Sequence, residues 1–210
     1  MLPDRFFIPL FLTIIGLTLY AAFVIGPQTP TTKSPLSSDP LAGFVIEDMA
    51  LTLLDSGPGL THKLINDPDD GLFIRAAAGQ PPDQGTRSAG VFLALLPDIE
   101  QAWAGRTVHL AIELRQPPIN PSQDVMIRYY SISRQNGPIV PCAVSAQWQT
   151  CHMSYTIPQS DEPPNVTFIG IWPDTKGLSR FIDVRRIEAL LDKPTSNEPL
   201  AQPIATPSPS

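Results

Sequence analysis

Apolar and polar positions alternate most regularly over 108–115. Val108, Leu110, Ile112 and Leu114 interleave with His109, Ala111, Glu113 and Arg115. A period of two places the first set on one face, so the segment predicts a half-buried strand. Met153, Tyr155 and Ile157 repeat the pattern against His152, Ser154 and Thr156. Two runs, 91–96 and 167–172, are almost continuously apolar or small. They are too short for buried helices and predict strands covered on both faces. Further strands are predicted over 44–54, 60–65, 72–77 and 125–133, the last with Tyr129 and Tyr130 on opposite faces. Turn chemistry separates them: Gly57-Pro58-Gly59, Asp67-Pro68-Asp69-Asp70-Gly71, and Asn136-Gly137, where Pro138 shortens the return strand. One or two helical turns over 97–104 end at Gly105. About eight to ten short strands without a long amphipathic helix predict an all-β fold, a β-sandwich or jelly roll.

The segment 165–191, NVTFIGIWPDTKGLSRFIDVRRIEALL, predicts a closing hairpin, with Pro173 to Gly177 as its turn. Ile182 and Val184 share a face, but Ile187, Ala189 and Leu191 continue the apolar series one position out of phase. A β-bulge near Arg185-Arg186 restores the register. Within this segment IWPDTKGLSRFIDVRRI resembles the end of galactose-binding-like jelly rolls, the fold of many carbohydrate-binding modules. Their last strand often reads apolar-Ile-Asp-Asp-Val. Ile182, Asp183 and Val184 match it, and the second aspartate is absent. The resemblance implies a sugar-binding surface. It also implies a structural Ca²⁺ between an early strand and the last, for which Glu47, Asp48 and Asp183 are the oxygen donors.

The ends of the chain read differently. Phe6 to Ile25 is twenty residues without a charge, about 30 Å as a helix and enough to span a bilayer core. An uncleaved signal-anchor over 1–26 is favoured over a cleaved signal peptide, because Tyr20 stands where a small residue belongs before a cut at Ala22. Segments 27–42 and 193–210 are rich in proline, without apolar periodicity. They predict an extended spacer and a disordered tail around one domain at 43–192. The predicted address is the bacterial inner membrane, with a single span and the C-terminal domain on the periplasmic side. A net charge of −6 excludes a nucleic-acid partner, which needs a basic face.

Chemistry is sparse. Cys142 and Cys151 are the only cysteines, nine apart. Outside the cytoplasm such a pair predicts a disulfide clamping the loop that holds Trp148. The alternative is a metal site with His152, which needs another ligand. His62, His109 and His152 have no metal-ligand spacing, and no nucleophile elbow or phosphate loop is present, so no catalytic residue is assigned. Sugar binding needs exposed rings and polar groups that fix hydroxyls. The candidates are Trp103, Trp148, Trp172 and Tyr130, with Tyr129 beside it, and Arg128, Asp174 and Arg180 as polar partners. The resulting expectation is a membrane-anchored binding module for a cell-envelope glycan or a partner protein. Its rival is a structural or assembly subunit of an envelope complex.

Overall fold

The computed structural model describes residues 39–84 and 88–192. The predicted span at 1–26, the spacer up to residue 38 and the tail at 193–210 lie outside these residues. Among the described residues no helix is long and apolar enough to cross a membrane. In chain order the elements are β1 (Phe44–Glu47), a 3-10 helix (Asp48–Leu53), β2 (Leu54–Ser56), β3 (Leu60–Asp67), β4 (Gly71–Ala78), β5 (Val91–Leu95), α1 (Pro97–Trp103), β6 (Thr107–Arg115), β7 (Val125–Ser131), β8 (Val140–Cys142), β9 (Gln149–Thr156), β10 (Thr167–Trp172) and β11 (Phe181–Leu191). The strands form two antiparallel sheets. One runs β3-β4-β11-β6-β9, with β1 also pairing β11, and the other runs β2-β5-β10-β7-β8.

The predicted alternation is the packing rule of the larger sheet. Val108, Leu110, Ile112 and Leu114 are buried, while their neighbours along β6 are half-buried. Along β11 the pairing with β6 shifts between Val184 and Arg186. This bulge lets Ile182, Val184, Ile187 and Ala189 all enter the same core. Ile169, Ile171, Val91, Leu93 and Leu95 meet them from the smaller sheet. The predicted helix is α1, and Gly105 closes its end at φ +76°.

The predicted closing hairpin is corrected. β10 belongs to the five-stranded sheet and β11 to the six-stranded one, so the chain between them crosses from sheet to sheet. Asp174 makes the crossing practicable. Its buried carboxylate accepts hydrogen bonds from the backbone N–H groups of Lys176, Leu178 and Arg180 at 3.2, 2.9 and 3.3 Å. Arg180 Nη2 adds a bond of 2.6 Å to Asp174 and one of 3.1 Å to Asp124. A loop that leaves both ladders must satisfy its backbone in this way.

Cys142 on β8 and Cys151 on β9 form the predicted disulfide, with Cα atoms 5.5 Å apart. It joins the two sheets and consumes both thiols, which removes the metal alternative with His152. In the larger sheet Phe44 pairs with Ala189. The domain therefore takes in and releases its chain side by side.

Candidate functional site

Three strands of the smaller sheet build a cleft on its outward face. On β7 the inward Ile127 and Tyr129 alternate with the outward Arg128 and Tyr130. The pairing registers set two outward rows across the sheet: Phe92, Gly170 and Arg128 in one, and Ala94, Phe168 and Tyr130 in the next. Phe92 and Phe168 meet edge to face, with centroids 5.1 Å apart. The Arg128 guanidinium carbon stands 5.4 Å from the Tyr130 ring centre. Gly170 is required between these rings. A Cβ there would collide with the Ala89 carbonyl oxygen and fall 2.7 Å from Tyr130 Cε2. The cleft holds about 1040 Å³, with Pro82, Ser88 and Ala89 on one wall and Ile132, Asn136 and Ile139 on the other.

The second wall is held from beneath. Fully buried Glu100 of α1 accepts hydrogen bonds from the hydroxyls of Ser131 at 2.8 Å and Ser133 at 2.8 and 2.9 Å. It also accepts from the Asn165 N–H at 2.7 Å and lies 3.6 Å from Arg134 Nε. Asn136 Oδ1 accepts from the Ser131 N–H, and the Gly137 N–H donates to the Tyr129 carbonyl. The Gly137 carbonyl in turn accepts a 3.0 Å bond from Arg128 Nε. The guanidinium, its ring platform and the loop beside it are thus one connected unit. Burial pushes the Tyr130 phenol above its ordinary pKa, with the Arg128 charge opposing, so the hydroxyl stays a neutral donor and acceptor.

Of the seven residues predicted as ligand contacts, Tyr130 and Arg128 line this cleft. The other five lie elsewhere. Trp103, expected in part at the surface, is fully buried; it stacks on Phe44 at 5.8 Å, and its Nε1 donates to the Pro40 carbonyl at 2.6 Å. Trp172 is also core, with Nε1 donating to the Gln80 carbonyl at 3.2 Å. Neither offers a ring face to a ligand. Trp148 is half-buried on the outward side of the other sheet. The guanidinium carbons of Arg115 and Arg185 stand 4.4 and 4.6 Å from its ring, and its Nε1 donates to Asp70 at 3.1 Å. Asp174 and Arg180 are spent on the sheet crossing. Tyr129 points inward and donates to Thr167 Oγ1 at 3.1 Å; burial raises its pKa to about 12.

The three carboxylates expected to hold Ca²⁺ do not fit the ion. Both oxygens of buried Asp183 accept from Arg75, at 2.7 and 2.9 Å, and Arg115 approaches the second at 3.3 Å. Glu47 pairs with Arg186, and Asp48 is an exposed residue opening the 3-10 helix. A cation at Asp183 would face two guanidiniums. No group of three or more metal-binding side chains exists among the described residues.

Phe92 and Phe168 were not singled out from the sequence. They sit in the two runs predicted to be covered on both faces, yet each is half-buried and Ala94 is exposed. Only their alternation with Leu93 and Ile169 carried a signal, and an all-apolar run hides it.

No protein-family model matches the sequence, and no curated protein matches it either. Solved structures do match in fold. The N-terminal CBM22-1–CBM22-2 tandem domain of Paenibacillus barcinonensis Xyn10C aligns with a TM-score of 0.53 and 11% identity, over 79% of this chain and 51% of the tandem. The C-terminal family 22 carbohydrate-binding module of Clostridium thermocellum Xyn10B aligns with a TM-score of 0.52 and 8% identity, over 73% of this chain and 95% of the module. The domain therefore has the jelly-roll fold of carbohydrate-binding modules, as the resemblance at its last strand implied.

Proposed function

We propose that this protein is a glycan-binding module, and that the cleft on the outward face of the smaller sheet is its binding surface. One observation carries the reading. Two phenylalanines and a tyrosine lie side by side on an open sheet face, with Arg128, Ser131 and Asn136 next to them. Sugar rings bind through this combination: C–H faces pack on aromatic rings while hydroxyls take polar partners. The fold likeness supports it, since cleft residues serve ligand binding in the Clostridium thermocellum module.

The module acts by binding, without a catalytic step and without calcium. Among the described residues one arrangement has the side chains of a hydrolase triad, and its setting favours this reading. His109 bridges Ser154 at 2.8 Å and Asp192 at 2.9 Å. Both contacts are solvent-exposed, and none of the three residues lines the cleft. The apolar run at 6–25 supports a single-span anchor that holds the domain outside the cytoplasm, and the Cys142–Cys151 disulfide suits that oxidising side.

Affinity electrophoresis of the full-length protein in neutral detergent, through gels containing soluble polysaccharides, tests the reading. At least one polysaccharide retards the protein, chelator does not change the retardation, and Tyr130→Ala reduces it. No retardation by any polysaccharide would turn the assignment toward protein assembly, for which exposed Ile132 and Ile139 on the cleft wall are the natural contact. Protease protection in intact cells and spheroplasts tests the address: the domain is cut only once the outer barrier is opened.

A further inference from the structure

Among the described residues five arginines lie on strands. Four are matched to carboxylates: Arg75 and Arg115 share Asp183, Arg185 binds Glu113 and Arg186 binds Glu47. Arg128 is the exception. No described carboxylate stands within salt-bridge distance of it, although exposed Asp83 also lines the cleft. Its Nε is spent on the Gly137 carbonyl, and its guanidinium lies by the Tyr130 ring. Its terminal Nη1 and Nη2 reach solvent and make no hydrogen bond to the described residues. Opposite on β10 stands Gly170, which has no side chain to crowd or pair the fork. Arg128 is the one cation among the described residues lining the cleft.

The guanidinium is therefore oriented but not neutralised. When a ligand covers the cleft, the charge loses water, and that costs free energy unless strong acceptors replace it. Hydroxyls are neutral acceptors. A carboxylate matches the two terminal nitrogens in geometry and in charge. We infer that the cleft takes an acidic glycan, one bearing uronic acid or another carboxylate-substituted sugar, with the carboxylate on Nη1 and Nη2 of Arg128. The sugar ring packs on Tyr130 and Phe168. The inference rests on the glycan-binding reading above and narrows it. A net charge of −6 gives a polyanion no long-range attraction, so among the described residues the preference comes from this contact.

Calorimetric titration of the full-length protein in neutral detergent tests it. The probes are oligogalacturonate, a glucuronic-acid-substituted xylo-oligosaccharide and a peptide-free peptidoglycan strand. Each is paired with its carboxyl-reduced form, which keeps the chain and removes the charge. At least one acidic probe binds, and its reduced form binds about ten- to a hundredfold more weakly, the range for one charge-assisted contact. Arg128→Ala, shown to be folded by near-ultraviolet circular dichroism, erases that difference. Arg128→Lys keeps part of it, and Tyr130→Ala weakens both forms alike. Equal affinity of the wild type for acidic and reduced forms would overturn the acidic preference and leave glycan binding standing. So would a preference that survives Arg128→Ala. Failure of every probe, acidic and reduced, would overturn both readings.

Discussion

Gly170 is the position where a single atom has the largest effect. A methyl group there displaces the Ala89 carbonyl or the Tyr130 ring, and such overpacking costs roughly 1–3 kcal/mol. Gly170→Ala is expected to lower the unfolding free energy by that amount in urea titrations and to weaken glycan binding as well. Tyr130→Ala removes a ring from the surface, where an aromatic contact is worth about 0.5–1.5 kcal/mol. A two- to tenfold loss of affinity with unchanged melting temperature is the expected result. Glu100 touches no ligand, yet Glu100→Ala strands the buried Arg134 guanidinium and frees Ser131 of the cleft wall and nearby Ser133. Its expected cost is about 3–5 kcal/mol, read by the same titration. At this scale the sequence was legible where polarity alternates and silent where it does not. Arg128 and Tyr130 stand out against Ile127 and Tyr129. Phe92 and Phe168 are embedded among apolar neighbours, so composition could not say which face was wet. The tryptophans misled for a related reason: a large ring gains most by burial, and Trp103 and Trp172 could both satisfy their N–H on backbone carbonyls inside.

Among the elements, the crossing between β10 and β11 carries the pH dependence. Burial opposes ionisation of Asp174, but the hydrogen bonds from Arg180 and three backbone amides outweigh it and hold the carboxyl below the ordinary 3.8. A group whose folded pKa is depressed contributes stability above its unfolded value and loses it as pH falls through the folded one. Asp70, held low by the Trp148 N–H and by Arg115, acts in the same direction. Thermal midpoints are expected to be flat from pH 7 toward 5 and to drop below about pH 4. Asp174→Asn should lower the plateau by roughly 1–3 kcal/mol and blunt the acid drop. A curve for Asp174→Asn that parallels the wild type would assign the acid sensitivity elsewhere. The sequence contained the turn chemistry of this segment but not its destination. Pro173, Asp174 and Gly177 serve a hairpin and a sheet crossing equally well, and only long-range pairing decides between them. The bulge at Arg185-Arg186 was legible, because a one-residue phase slip leaves no other way to keep Ile187 and Ala189 inside.

For the whole molecule, two sheets share one core and the disulfide between β8 and β9 ties them together. The closed loop is short, so the entropic model assigns roughly 2–3 kcal/mol to the bond. Reduction, or Cys142→Ala with Cys151→Ala, should lower stability by that much without unfolding the domain at room temperature. The all-β class and the cysteine pairing followed from period-two patterning and from cysteine count. The binding face did not, because a sandwich has two outward faces and no local pattern ranks them. Here the distinction is physical. The larger sheet covers its aromatic residues with paired ions, as Arg115 and Arg185 do over Trp148. The smaller sheet leaves Phe92, Phe168 and Tyr130 lining an open cleft. That contrast is tested most directly by hydrogen–deuterium exchange of the full-length protein, free and saturated with the polysaccharide that retards it most. Slowed exchange should concentrate in 82–84, 88–90 and 132–139, the walls of the cleft. Protection centred on 66–71 and 145–149 instead, around Trp148 on the other sheet, would contradict the assignment of the binding face.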